Sequence, residues 1–69
     1  QGEVRWLYQA LGALKDDLRE TAVLVLQEEL SHAETGAILG VKESTVSWRM
    51  YEVRETLKGL AEASEEFSP

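Results

Sequence analysis

A chain of 69 residues with five Gly, one Pro and no Cys has room for a single small domain. The lack of cysteine excludes disulfides, thiolate metal sites and thiol catalysis, and the one histidine, His32, excludes a multi-histidine metal centre. With 43% hydrophobic and 29% charged residues, the composition is that of a globular protein. The longest apolar run, Ala22 to Leu26, is far shorter than the roughly 20 residues that cross a bilayer.

The net charge of −6 opposes binding to the phosphates of nucleic acid, but the charges are spread unevenly along the chain. Residues 41–60 carry four basic and three acidic side chains, whereas residues 1–40 and 61–69 are both acidic. The one net-positive stretch therefore lies between two acidic ones, which hints at an anionic partner for residues 41–60.

Helix-favouring residues dominate and no alternating strand pattern occurs, so the sequence predicts an all-α fold, a small four-helix domain containing a helix-turn-helix. The first helix is expected from about Glu3 to Leu14, with Trp6 in the core. The second is expected to start at Asp17, with Glu20 completing a capping box, and it carries apolar residues as far as Leu30.

The third and fourth helices have the clearest boundaries. Ser31 and Glu34 form a Ser-x-x-Glu capping box, and Gly40 follows Leu39 where a left-handed stop is expected. The fourth helix is predicted from about Glu43 to about Ala63, and the acidic residues after it are expected to fray.

A short helix, a turn with Gly and a longer helix with an early buried valine make a helix-turn-helix pattern over about residues 31–60. Gly36 supplies the small residue that two steeply crossing helices need at their contact. The expected core consists of Leu18, Ala22, Val25, Leu26, Ile38, Leu39, Val46, Met50, Val53 and Leu57.

The fourth helix carries polar and aromatic residues opposite its apolar stripe. At 100° per residue, this face holds Ser44, Trp48, Tyr51, Glu52 and Glu55, with Ser47 beside it. Arginines at 49 and 54 fall on opposite flanks. Such a face suits base edges at its centre and phosphates at its sides, but a solvated helix face explains it as well.

Several short motifs in order resemble region 4, the C-terminal domain of bacterial RNA polymerase sigma factors of the sigma-70 family. They span about residues 10 to 60 and consist of Leu14, Leu18-Arg19-Glu20, Glu29-Leu30-Ser31, Glu34, Ile38-Leu39-Gly40-Val41, Thr45-Val46, Arg49-Met50, Arg54 and Leu57. The run Thr45-Val46-Ser47-Trp48-Arg49 resembles the extracytoplasmic-function group.

The resemblance implies recognition of the promoter −35 element in transcription initiation, and RNA polymerase core as a partner through the flap of its β subunit. The implied DNA-binding residues are Arg19, Lys42, Ser44, Thr45, Ser47, Trp48, Arg49, Tyr51, Glu52 and Arg54. The implied polymerase-binding groove consists of Leu18, Ala22, Leu26 and Leu30. An anti-sigma factor and self-association of the domain remain open as further contacts.

The chain departs from the family pattern at several positions. Lys15 replaces a proline, and Thr35-Gly36 replaces the usual Ile-Ala step, which weakens the third helix. Lys42 replaces the serine that caps the fourth helix, and it can reach a phosphate instead. Glu52 replaces a basic residue, and its carboxylate can accept a hydrogen bond from cytosine N4.

Other functions fit the sequence less well. No nucleophile, base and pocket occur together, so neither an enzyme nor a cofactor or metal site is expected. His32 is expected to be a surface or capping residue. A protein-interaction bundle and a response-regulator-type helix-turn-helix output domain remain as alternatives. The expected setting is a longer cytoplasmic protein, without membrane contact.

Overall fold

Four helices follow one another in a computed structural model that describes residues 8–66 and the side chains of residues 8–62. Helix α1 covers residues 8–12, α2 covers Asp16–Ala22, α3 covers His32–Leu39 and α4 covers Glu43–Glu66. No strand occurs in this part of the chain, so the all-α prediction with a helix-turn-helix is confirmed. The predicted start of the first helix and Trp6 lie outside the described residues.

The core forms where α4 packs against α2 and the end of α1. Its buried members are Leu14, Leu18, Ala22, Val46, Met50 and Val53, with Leu11, Val25, Val41 and Leu57 partly buried around them. The residues of α4 recur every three or four positions, so a single stripe of the helix enters the core. Fully burying each large apolar side chain contributes about 1.5–3 kcal/mol, which makes this stripe the main source of stability.

Two residues expected in the core are instead exposed. Leu26 is 53% exposed and Ile38 is 61% exposed. The inner face of α3 is formed by the fully buried Thr35 and by Gly36, and Ile38 lies off that face. The small side chains at 35 and 36 let α3 approach α4 closely, so they set which side of α3 is buried.

Helix α2 starts one residue before the expected cap. Lys15 occupies the N-cap position without a side-chain hydrogen bond, and the carboxylate of Asp17 accepts only from the amide of Leu18. The expected capping box of Asp17 and Glu20 is therefore wrong. With two acidic residues, Asp16 and Asp17, in its first turn, α2 keeps a favourable charge near the positive end of its dipole.

The second helix ends earlier than its apolar pattern suggested, through a π-helical turn over Val23–Gln27. In that turn the amide of Glu28 donates to the carbonyl of Val23. Leu26 lies within this π turn, where the α-helical register of the apolar residues is interrupted, and it is exposed. The chain then reverses at Glu29, whose φ of 58° lies in the left-handed region without the freedom of a glycine.

Both ends of α3, and the turn that joins it to α4, follow the sequence prediction closely. The Ser31 hydroxyl accepts from the Glu34 amide, and the Glu34 carboxylate accepts from the Ser31 amide, which completes the capping box. Gly40 ends α3 with a φ of 75°. Gly36 sits so close to the turn that an added Cβ would lie 2.7 Å from the carbonyl oxygen of Val41.

Candidate nucleic-acid interface

The outer face of α4 (Ser44, Trp48, Tyr51 and Glu55) points away from the core and is exposed to solvent. Trp48 is 60% exposed and Tyr51 is 49% exposed. Their rings stack on each other, with centroids 5.5 Å apart and planes inclined by 21°. This face therefore presents a fixed aromatic pair between small hydroxyl and carboxylate side chains.

The N-terminus of α4 is anchored to the turn by backbone hydrogen bonds. The carbonyl of Lys42 accepts from the amides of Thr45 and Val46, at 3.0 and 3.2 Å. The side chain of Lys42 is exposed, whereas Thr45 is half-buried. This end of α4 thus carries the exposed cation of Lys42 beside the exposed carboxylate of Glu43, which lies in the first turn.

The two flanking arginines have different environments. Arg54 is exposed on one flank. Arg49 is half-buried on the other, and one of its terminal nitrogens donates to the hydroxyl of the fully buried Thr21 at 3.3 Å. The Thr21 hydroxyl in turn donates to the carbonyl of Asp17 at 2.8 Å. Arg49 thus links α4 to α2 while part of its guanidinium remains accessible.

A contact that the sequence did not reveal joins the start of α3 to α4. The Nδ1 atom of His32 lies 2.8 Å from the Ser47 hydroxyl oxygen. Ser47 is exposed, so its hydroxyl is held at the edge of the outer face by a residue of the neighbouring helix. The two residues are fifteen positions apart, and no local pattern signals that they meet.

Glu52 lies to one side of the outer face. It is half-buried and lines a surface depression together with Lys15, Asp17 and Thr56. Its carboxylate is therefore on the side of α4 that faces the start of α2, one turn beyond Trp48.

The family model for region 4 of sigma-70 matches residues 4–57, which is most of the chain and includes α3, the turn after it and the first fifteen residues of α4. The chain belongs to the sigma-70 region 4 family. Region 4 is a DNA-binding regulatory domain and not a class of enzyme, and in general it binds DNA and RNA polymerase and serves −35 recognition in transcription initiation. No curated protein and no solved structure matches the chain significantly.

One of the DNA-binding residues implied for region 4 has its donors occupied inside this domain. The Nε and Nη2 atoms of Arg19 donate to the carbonyls of Leu11 and Leu14, at 3.2 and 3.0 Å. Its Nη1 atom lies 3.2 Å from a carboxylate oxygen of Asp16. Arg19 therefore ties the end of α1 to α2.

The four residues expected to form the polymerase groove of region 4 divide into two pairs. Leu18 and Ala22 belong to the core of the domain, and Ala22 has no exposed surface. Leu26 is exposed and Leu30 is half-buried. Val23 and Leu24, between the two pairs, are half-buried as well. Apolar surface thus remains along the π-helical turn and the loop after it. Leu18 and Ala22 lie in the core and are not part of that surface.

The capping box changes the acidity of one group in this region 4 domain. The carboxylate of Glu34 interacts with the backbone amide of Ser31 and, more weakly, with its side chain. These hydrogen bonds lower the pKa of Glu34 below its ordinary value of 4.5. Among the side chains of residues 8–62, no three His, Asp or Glu lie together so that they could hold a metal ion. None of the helices in that range is both long and apolar enough to pass through a membrane.

Proposed function

We propose that this chain is region 4 of an extracytoplasmic-function sigma factor, and that α4 reads the −35 element from the major groove. The observation that carries the proposal is the outer face of α4, which leaves Ser44, Trp48 and Tyr51 exposed at the front of a helix-turn-helix. A major groove about 12 Å wide admits one helix, and its base edges offer the contacts that such side chains make.

The residues around this face take complementary parts in the proposed complex. Ser44, Ser47, Trp48 and Tyr51 meet base edges, whereas Lys42, Thr45, Arg49 and Arg54 meet the phosphate backbone. Glu52 faces the start of α2, so it lies outside the proposed interface. Arg49 does so with the part of its guanidinium that Thr21 leaves free. Arg19 is not part of the proposed interface, because its nitrogens hold α1 and α2 together.

The net charge of −6 limits how tightly the domain binds DNA without help. RNA polymerase overcomes this limit by holding the domain near the promoter, because a tethered contact acts at a high effective concentration. The chain by itself should therefore bind duplex DNA with a dissociation constant of ~10⁻⁴ M or weaker at physiological salt.

The polymerase side of the proposal uses the apolar surface near Leu26 and Leu30, which suits the apolar face of a helix from the β flap. A flap peptide should shift the magnetic resonance signals of residues 23–30 in the chain. Shifts confined to the end of α4 would contradict this assignment. An anti-sigma factor or a second copy of the chain would cover the same surface, and the cytoplasm is the proposed location.

The DNA side is tested with RNA polymerase assembled with a sigma factor that carries this chain. Arg54→Ala should weaken promoter binding to a similar extent at every sequence, and it should lower the salt slope by about one contact. Lys15→Ala removes the same charge from an exposed residue at the start of α2, so it serves as the matched control and should leave the slope unchanged.

Base preference gives the second readout. Substitutions of Ser47 or Trp48 should change which −35 sequences the polymerase selects, whereas Arg54→Ala should not. If all these variants initiate at the same promoters with the same efficiency, α4 does not read DNA. The domain would then act as a protein-interaction bundle.

A further inference from the structure

The stacked rings of Trp48 and Tyr51 form a rigid apolar plate on the outer face of α4. Their separation of 5.5 Å and inclination of 21° correspond to an offset stack, which aromatic pairs prefer over a face-to-face sandwich. About half or more of each side chain remains exposed. Because the rings already hold each other, little conformational entropy is lost when another group covers them.

Among the base edges of the major groove, one group is apolar. Guanine, cytosine and adenine present hydrogen-bond donors and acceptors, whereas thymine adds its C5 methyl group. Exposed aromatic carbon has no favourable contact with the polar edges, but it gains from covering a methyl group. The neighbouring hydroxyls of Ser44 and Ser47 can serve the polar edges on either side.

We infer that the Trp48–Tyr51 pair contacts thymine methyl groups, so that the DNA element read by this chain is selected partly by methyl contact. The inference rests on the proposed function, since it names what the centre of the α4 interface recognises. A protein partner is the less favoured occupant, because residues 41–60 are the net-positive stretch of the chain and Arg54 is exposed about one turn after Tyr51.

The experiment removes the methyl groups without changing the sequence. Promoter duplexes randomised over the −35 element are selected for retention by RNA polymerase assembled with a sigma factor that carries this chain, and the selected pool is synthesised with either thymine or uracil at those positions. Polymerase with the wild-type chain should bind the uracil pool about fourfold more weakly for each methyl group that the chain contacts, from the transfer free energy of one such group.

Two variants and a control decide whether the effect passes through the aromatic pair. Trp48→Ser and Tyr51→Ser should bind the thymine and uracil pools equally. Tyr8→Ser removes an aromatic ring that is 66% exposed on α1 and should keep the wild-type preference for thymine. Thermal unfolding of each variant checks that the fold is intact, as expected for exposed side chains.

The outcomes separate the inference from the proposed function. Equal binding of both pools by wild-type chain, with a clear sequence preference, would overturn the inference and leave DNA reading in place. A thymine preference that survives in both aromatic variants would overturn it as well, since the methyl groups would then act through duplex shape. Selection that enriches no sequence at all would contradict the proposed function and the inference together.

Discussion

Replacing Thr35 by valine should stabilise the domain, because the Thr35 hydroxyl is buried at a cost. Thr35 is fully buried between α3 and α4, and within the described residues its hydroxyl oxygen has no hydrogen-bond partner. An unsatisfied buried polar group costs about 1–3 kcal/mol. Valine has the same shape and nearly the same helix propensity, so the substitution removes the penalty and leaves the packing as it is.

Thr21 provides a matched control for this prediction. It is also fully buried in a helix, but its hydroxyl donates to Asp17 and accepts from Arg49. Thr21→Val should therefore destabilise the domain, by about 1–2 kcal/mol for the two hydrogen bonds lost.

Thermal unfolding followed by circular dichroism measures both changes. For a domain of this size, each 1 kcal/mol shifts the melting temperature by about 4–8 °C. Thr35→Val should melt at a higher temperature than the wild type and Thr21→Val at a lower one. If Thr35→Val destabilises as much as Thr21→Val, the Thr35 hydroxyl has a partner and the argument from its burial fails.

Four further predictions concern the glycines, the capping box and the core. Gly59→Ala should stabilise α4 by about 0.8–1 kcal/mol. Gly36→Ala should lose most of that gain or reverse it, because its Cβ would clash with the backbone of the turn. Equal gains in stability on urea unfolding would refute this prediction. Ser31→Ala should cost about 1 kcal/mol. The wild type should have a higher free energy of unfolding than Glu34→Gln. This difference should be complete above pH 4.5 and vanish as the pH falls through the lowered pKa of Glu34. A difference that stays constant with pH would contradict the charge-assisted cap. Val46→Asp buries an unpaired carboxylate at a cost of several kcal/mol, so it should unfold the domain, and a wild-type melting curve would refute the placement of the core.

Local signals in the sequence were enough to predict most of the fold. The capping box of Ser31 and Glu34 and the left-handed stop at Gly40 each involve residues a few positions apart. The stripe of α4 follows the helical period, and Val46, Met50 and Val53 are buried as it predicts. These features need no knowledge of the rest of the molecule.

The errors arise where tertiary contacts override a local pattern. Ile38 is apolar, but Thr35 and Gly36 determine which side of α3 meets α4, and Ile38 lies off that side. Leu26 follows Ala22 by four residues and would share its face in an α-helix, but it lies in the π turn and is exposed.

The candidate site was predictable in position and less so in detail. The period of α4 places Trp48 and Tyr51 opposite the core, and both are exposed. The bonds of Arg49 to Thr21 and of Ser47 to His32 join distant parts of the chain, so no spacing in the sequence predicts them. These two hydrogen bonds show that Arg49 and Ser47, which flank the outer face of α4, already have partners within the domain.

The central claim, that the outer face of α4 meets the −35 element, is tested most directly by crosslinking from that face. A photoreactive amino acid in place of Trp48 would be activated in a complex of promoter DNA and polymerase assembled with a sigma factor that carries this chain. The same amino acid at position 8, an exposed site on α1, serves as the control. We expect position 48 to crosslink to bases of the −35 element and position 8 to leave them unmodified. Crosslinks from position 48 to protein alone would contradict the account.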